Sequence, residues 1–175
     1  MEQSPYISLK VMQIRTDTFN TKSFVLQQLS GNPIDYKPGQ FLTLIFRKSA
    51  AEERRSYSIS SAPDLQEPLT ITVKRIDNGE YSRYLFDVVR EGDTLLSIGA
   101  SGYFTLPEIL SPDLQFFFFA AGSGITPILP LIKTLLNKTI PISITLVYSN
   151  RSENETIFSE ELKKLIETFP DQLLV

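Results

Sequence analysis

In the first half of the chain, apolar and polar positions alternate in short runs separated by turn residues. Ile7, Leu9 and Val11 alternate with polar residues, and Phe24-Val25-Leu26 and Phe41-Leu42-Thr43-Leu44-Ile45-Phe46 follow. Thr16 to Asn20, Ser30-Gly31-Asn32-Pro33 and Lys37-Pro38-Gly39 punctuate them, as period-two strands joined by turns require. Arg54 to Ser61 reads as a fourth strand and Leu69 to Ile76 as a fifth. After the Asp77-Asn78-Gly79 turn, Tyr81, Leu85, Val88 and Val89 fall on one side of a short amphipathic helix. Asp93 to Ile98 resumes a strand. Short strands at near-regular spacing with one helix predict an all-β antiparallel barrel, closed, of about six strands, ending near Pro107.

The texture then changes. Leu110 to Asp113 reads as a linker, and Phe116-Phe117-Phe118-Phe119-Ala120-Ala121 is a continuous apolar run. Such a run predicts a strand buried on both faces of a parallel sheet. A helix is expected from about Pro127 to Asn137, a strand over Ile142 to Tyr148, and a helix over Phe158 to Thr168 with Leu162, Leu165 and Ile166 as its stripe. Leu173-Leu174-Val175 starts a third strand. This β-α-β-α order predicts a partial α/β nucleotide-binding domain over 110–175, following a barrel domain over 1–109. Leu114 to Ile132 carries no charge and is long enough to cross a membrane, but Gly122, Gly124, Pro127 and Pro130 in its interior would leave backbone groups unpaired in lipid. No membrane span is expected.

Composition narrows the chemistry. The chain has 175 residues with no cysteine and no histidine. It therefore cannot supply zinc thiolates, an iron–sulfur cluster, a Cys nucleophile or an imidazole base. Any redox chemistry falls to a bound organic cofactor, and no metal site is expected. A formal net charge of -3 gives no footprint for nucleic-acid backbone binding. Met1-Glu2-Gln3-Ser4-Pro5 has no basic region followed by an apolar one, so a cytoplasmic location is the default.

Three stretches carry candidate chemistry. Arg55-Ser56-Tyr57-Ser58 places a guanidinium two residues from a ring, on one side of a strand. Taken alone it fits an edge strand as well as a cofactor platform. Gly79-Glu80-Tyr81-Ser82 opens the short helix and can hold a phosphate, or can be a plain turn with a serine cap. Gly122-Ser123-Gly124-Ile125-Thr126-Pro127 lies between a strand and a helix, as a phosphate loop needs, with Thr126 suited to the N-cap and Pro127 to the first helical position. Pro127 stands where the usual dinucleotide fingerprint has its third glycine. At the next strand end, Arg151 favours a ribose 2′-phosphate and hence NADPH, while Glu153 and Glu155 nearby weaken that preference.

Together with Pro38-Gly39-Gln40-Phe41, Gly102-Tyr103-Phe104 and Tyr148-Ser149-Asn150-Arg151-Ser152, these motifs make the chain resemble the ferredoxin–NADP reductase superfamily. The likeness is strongest to bacterial hybrid oxygenase reductases of the phenylacetyl-CoA oxygenase type. The resemblance implies an FAD-binding barrel and an NAD(P)-binding domain. By similarity Arg55 holds the FAD diphosphate, Tyr57 stacks on the isoalloxazine and Ser58 lies near flavin N5, the last two at the reacting atoms. Val73 and Lys74 contribute backbone contacts, and Gly79, Tyr81 and Ser82 clasp the phosphates. Gly122, Gly124, Thr126 and Pro127 approach the nicotinamide nucleotide, NADPH or NADH. Hydride would pass to FAD, and single electrons would then pass to an iron–sulfur or oxygenase acceptor.

The same resemblance exposes departures. The family's Cys-Gly segment near the nicotinamide and the hybrid reductases' cysteine-ligated [2Fe–2S] domain have no counterpart here. Val175 is accordingly expected to be the end of a fragment, of a truncated chain or of an aberrant gene product. A non-catalytic FAD-binding remnant or regulatory module is the alternative.

Overall fold

The computed structural model describes residues 6–48, 51–108 and 114–175. The expected linker at Leu110 to Asp113 lies outside the described residues. The first unit contains β1 (Ile7–Thr18), β2 (Thr21–Gln28), β3 (Phe41–Lys48), β4 (Ala51–Ser58), β5 (Thr70–Lys74) and β6 (Thr94–Ser101). All are joined antiparallel in the order β4-β3-β6-β1-β2-β5. Leu9, Val11, Phe24, Leu42, Leu44, Ile71 and Val73, inward positions of the strands, are buried at its centre with Ile59 and with Leu85 of the helix.

The sheet is antiparallel and six-stranded as expected, but it is not closed. Between its edges β4 and β5 no ladder runs: the segment just after β4 reaches β5 through an isolated Ile59–Ile71 bridge, a bond from Ser60 N to Thr70 O of 2.8 Å and side-chain bonds of Ser60 and Ser61. β4 ends at Ser58, and the chain turns away into a single helical turn at Pro63–Leu65, so no ladder forms. A proline cannot extend a ladder with its nitrogen.

The short helix also differs in detail. α1 spans Glu80–Arg83 and then widens over Tyr84–Val88, where Val89 N donates to Tyr84 O at 3.2 Å. That five-residue spacing inserts one residue into the turn. Tyr81, Leu85 and Val89 stay buried, whereas Val88, expected in the apolar stripe, is rotated into solvent.

The second unit is a parallel sheet of β7 (Leu114–Ala121), β8 (Ile142–Ser149) and β9 (Leu173–Leu174), with α2 (Ile128–Leu136) and α3 (Ser159–Thr168). The run Phe116 to Ala121 is a strand, but it is not buried on both faces. Phe116 and Phe118 pack with Ile144, Leu129 and Leu162. Phe117 and Phe119 remain 61% and 73% exposed. Both helices pack into the cluster on one face of the sheet, and among the described residues none covers the other.

Among the described residues, two sets of ion pairs cross the seam between the units. Lys133 Nζ, on α2, donates to both Glu67 carboxylate oxygens at 2.8 Å and to Glu161 Oε1 of α3 at 2.9 Å. Lys74 Nζ, at the end of β5, donates to Glu155 Oε2 at 3.0 Å.

Candidate functional site

β4 places Arg55 opposite Leu44 and Tyr57 opposite Leu42, so both side chains share the inward face of the sheet at its open edge. Tyr57 packs against the core cluster. Burial pushes its phenol up to about 12, with the Arg55 guanidinium opposing the shift. The Arg55 guanidinium lies over the Tyr81 ring, 4.8 Å from its centre, and bonds Glu53 Oε2 at 2.6 Å and Arg54 O at 2.8 Å. A cation over an aromatic face is held electrostatically by the ring.

Behind this edge a chain of hydroxyls fixes β5. Ser23 Oγ donates to Asp17 Oδ2 at 2.6 Å and shares a 2.7 Å bond with Thr72 Oγ1, which in turn shares a 2.8 Å bond with Ser60 Oγ. Asp17 is raised above its ordinary value by burial, against the Ser23 hydrogen bond. Beyond β5, Gly79 stands in extended backbone, and its missing Cβ leaves room for the Ser82 hydroxyl. Ser82 Oγ donates to Gly79 O at 3.1 Å and accepts from Ile76 N at 3.2 Å. It braces the turn, so its hydroxyl is occupied within the protein.

These elements enclose a cavity of about 610 Å³ lined by Arg55, Tyr57, Ser58, Val73, Lys74, Gly79, Tyr81, Ser82 and Thr126 among others. Every residue expected around FAD from the first unit is in its wall. The Tyr81 hydroxyl is buried near the Glu53 carboxylate without a hydrogen bond of acceptable geometry, and burial raises its phenol. An arginine at one end, a half-buried ring and an orphaned hydroxyl make a wall suited to a planar, phosphate-bearing group.

A second cavity of about 870 Å³ adjoins it, lined by Phe19, Lys74, Arg75, Asp77, Asn78, Phe86, Gly122, Ser149, Asn150, Arg151 and Glu155 among others. It opens at the C-terminal ends of β7 and β8, where open α/β sheets receive ligands. Gly122 adopts φ +50, which a side chain would strain. The Tyr148 hydroxyl donates to Gly122 O at 3.0 Å and pins the loop. The helical turn starts at Gly122, earlier than expected. Thr126 is already in helical conformation, its hydroxyl donating to Ser123 O at 2.8 Å, and is therefore not the N-cap. Pro127 precedes the first residue of α2.

The expected nucleotide contacts are thus divided. Gly122 and Arg151 share the second cavity and Thr126 lines the first, while Gly124 and Pro127 line neither. Ser123 and Asn78, which the sequence shows only as parts of a loop and a turn, also line these walls, as do Phe19 and Phe86, to which no motif assigned a ligand role. Glu155 reads in the sequence only as a nearby charge, and nothing local pairs it with Lys74.

A model of the oxidoreductase FAD-binding domain matches residues 8–106. The chain belongs to this family. An oxidoreductase NAD-binding domain matches residues 118–175. The chain is similar to the ferredoxin reductase component of 3-ketosteroid-9-alpha-monooxygenase from Rhodococcus rhodochrous, 37% identical over 97% of this chain and 48% of that protein. It is also 33% identical to a component of 1,2-phenylacetyl-CoA epoxidase from Escherichia coli, over 95% of this chain and 47% of that protein. The chain spans about half the length of the curated relatives it matches.

Among solved structures, the FAD/NAD-binding domain of nitric oxide dioxygenase from Vibrio cholerae superposes with a TM-score of 0.81 at 28% identity, covering 96% of this chain and 72% of that one. A ferredoxin NADP+ reductase from Neisseria gonorrhoeae with bound FAD and NADP gives 0.78 at 25% identity, covering 98% and 67%. The FAD-binding family match ends within the first unit and the NAD-binding match begins within the second, and both cavities take lining residues from each. Among the described residues no helix is long and apolar enough to cross a membrane.

Proposed function

We propose that the chain is the flavin- and nicotinamide-nucleotide-binding part of an NAD(P)H-dependent reductase. It would pass hydride from NADPH or NADH to FAD and then single electrons to an iron–sulfur or oxygenase acceptor. The observation that carries this reading is the convergence of Arg55, Tyr57, Ser58, Val73, Lys74, Gly79, Tyr81, Ser82 and Thr126 on one cavity. FAD, when bound, supplies the two-electron to one-electron conversion that no side chain here can perform.

The protein's share is binding and orientation. Arg55, over the Tyr81 ring, would hold the FAD diphosphate in place of Glu53. Tyr57, neutral at all physiological pH values, offers a flat apolar face for stacking. The β5 backbone at Val73 and Lys74, held from behind by the Asp17–Ser23–Thr72–Ser60 chain, sets the depth of the cofactor. Gly79 and the first turn of α1 receive phosphate oxygens. The Gly122 loop would hold the nicotinamide nucleotide, with Arg151 facing its ribose and Glu155 beside it bonded to Lys74, so the preference for NADPH rests on Arg151 alone. An oxygenase or ferredoxin partner fits the reductase components among the relatives.

The test is reconstitution with FAD followed by gel filtration. The reading predicts a retained yellow cofactor, and an Arg55→Ala protein that binds FAD about 10- to 100-fold more weakly, from roughly 1.5–3 kcal/mol per charge-assisted bond. No retained flavin and no effect of Arg55→Ala would end it. Bound FAD that anaerobic NADPH and NADH both fail to bleach would instead favour a non-catalytic flavin-binding module.

A further inference from the structure

The two cavities share three residues, Lys74, Ile76 and Asn78, and of these only Lys74 carries a charge. Its ammonium lies 3.9 Å from where a Cβ on Gly122 would stand, directly over the loop that opens toward the second cavity. Its partner, Glu155, comes from the other unit, in the single helical turn Glu153–Glu155 after β8. Both side chains are largely buried. The Lys74 ammonium, followed by the Asn20 amide and Arg151, holds the Glu155 carboxyl below its usual range.

The neighbouring cation behaves differently. Arg75 is committed to Asp77 and Asp87, both of its own unit, at 3.3 and 3.2 Å. The Lys133 pair on the rear of the seam faces neither cavity. Among the described residues, Lys74 is therefore the cation lining both cavities, and its ion-pair partner comes from the other unit.

We propose that Glu155 is an intramolecular competitor for the Lys74 ammonium. It closes the seam while the cleft is empty and yields the ammonium to a diphosphate group of a bound dinucleotide. This rests on the nucleotide-binding reading above but adds an element to it: the carboxylate sets affinity by occupying the cation the ligand needs. Exchanging one carboxylate for one phosphate at an ammonium keeps the buried charge paired throughout, which avoids the penalty of an isolated ammonium at the junction. Lys74 is here a binding residue through its side chain, and Glu155 a positioning residue acting through it.

The experiment titrates ADP-ribose, which carries a diphosphate and no reacting ring, into the full chain by calorimetry, and in parallel follows FAD binding by quenching of flavin fluorescence. Glu155→Gln should bind ADP-ribose about three- to tenfold more tightly than the unaltered protein, since one charge-assisted contact is freed for the ligand. Lys74→Met should weaken binding, and the double variant should match Lys74→Met, with the gain gone. A gain for FAD in place of ADP-ribose would assign the diphosphate to the flavin and keep the competitor role.

Unchanged or weaker binding of both ligands by Glu155→Gln, or a gain that survives in the double variant, would overturn the proposal. So would failure of the unaltered chain to bind either ligand. Thermal unfolding of each variant separates these outcomes from loss of fold. FAD retained with no effect of Glu155→Gln removes this inference and leaves the proposed function standing. A response to ADP-ribose without FAD retention does the reverse.

Discussion

Lys133 pins the two units together, and the way it is buried predicts which substitution does more damage. Its side chain is 8% exposed, whereas those of its partners Glu67 and Glu161 are 30% and 42% exposed. Glu67→Ala leaves the ammonium in place with Glu161 as the carboxylate that still pairs it. It also removes the acceptor of Ala62 N, bonded to Glu67 Oε2 at 2.8 Å. Breaking a buried pair from one side costs ~3–5 kcal/mol, which the part-exposed glutamate reduces, and an unpaired backbone donor adds ~1 kcal/mol. A loss of about 3 kcal/mol is expected.

Lys133→Met removes the buried charge and retains most of the aliphatic volume, and both carboxylates can turn to water. Its expected cost is about 1 kcal/mol, because replacing a buried ion by an apolar side chain is often near neutral. Urea unfolding followed by circular dichroism measures both. At ~2–4 °C per kcal/mol for a chain of this size, Glu67→Ala should melt about 6–12 °C lower and Lys133→Met about 2–4 °C lower. A larger loss for Lys133→Met than for Glu67→Ala would show that the buried ammonium is not what makes the pair costly to break, as would a loss below about 0.5 kcal/mol for Glu67→Ala.

Other positions give independent checks. Gly39 holds φ +88, and a Cβ there would run into the Phe104 carbonyl with Leu131 of α2 at 3.2 Å, so Gly39→Ala should cost about 2–4 kcal/mol in urea unfolding. Tyr57 has a folded-state value of about 12 against an ordinary 10, so the folded state holds its proton more tightly. The stability this contributes is complete below about pH 10 and is lost as pH rises toward 12. Tyr57→Phe should therefore flatten the fall in urea midpoint between pH 9 and pH 12, measured on the FAD-free protein. Arg151→Ala should weaken NADPH binding about 10-fold while changing NADH binding less than 3-fold, and equal effects would remove the NADPH preference.

The order of elements was legible because it is written in local periodicity. β1 announces itself by alternation, β2, β3 and β5 by short apolar or β-branched runs between turn residues, and Gly122 to Pro127 by glycines between a strand and a helix. What could not be read depends on distant packing. Phe117 and Phe119 are as apolar as Phe116 and Phe118, and only the placement of α2 and α3 on one face decides which pair is covered. The exposed side of Val88 follows from a one-residue widening of a helix that its residues do not encode individually. Closure of the sheet failed at β4 and β5 because a ladder needs two edges in register, and alternation describes one strand at a time.

The candidate site shows the same division. Arg55, Tyr57, Gly79 and Ser82 are recognisable as motifs, and the fold brings them to one cavity. The pairing of Lys74 with Glu155 and of Lys133 with Glu67 joins residues far apart in sequence, and nothing local in the sequence announces either pair. Thr126 looked like a cap because it precedes a proline; the earlier turn at Gly122 takes that role from it.

The proposed function stands or falls on whether the cavity between β4, β5 and α1 seats FAD in reach of a nicotinamide nucleotide bound at the Gly122 loop. Anaerobic addition of NADPH or NADH to the FAD-loaded full chain, followed in the visible spectrum, reads this out. A stoichiometric flavin spectrum that bleaches on addition of at least one of the two is expected. A chain that retains no flavin, or a bound flavin that neither nucleotide bleaches, would contradict it.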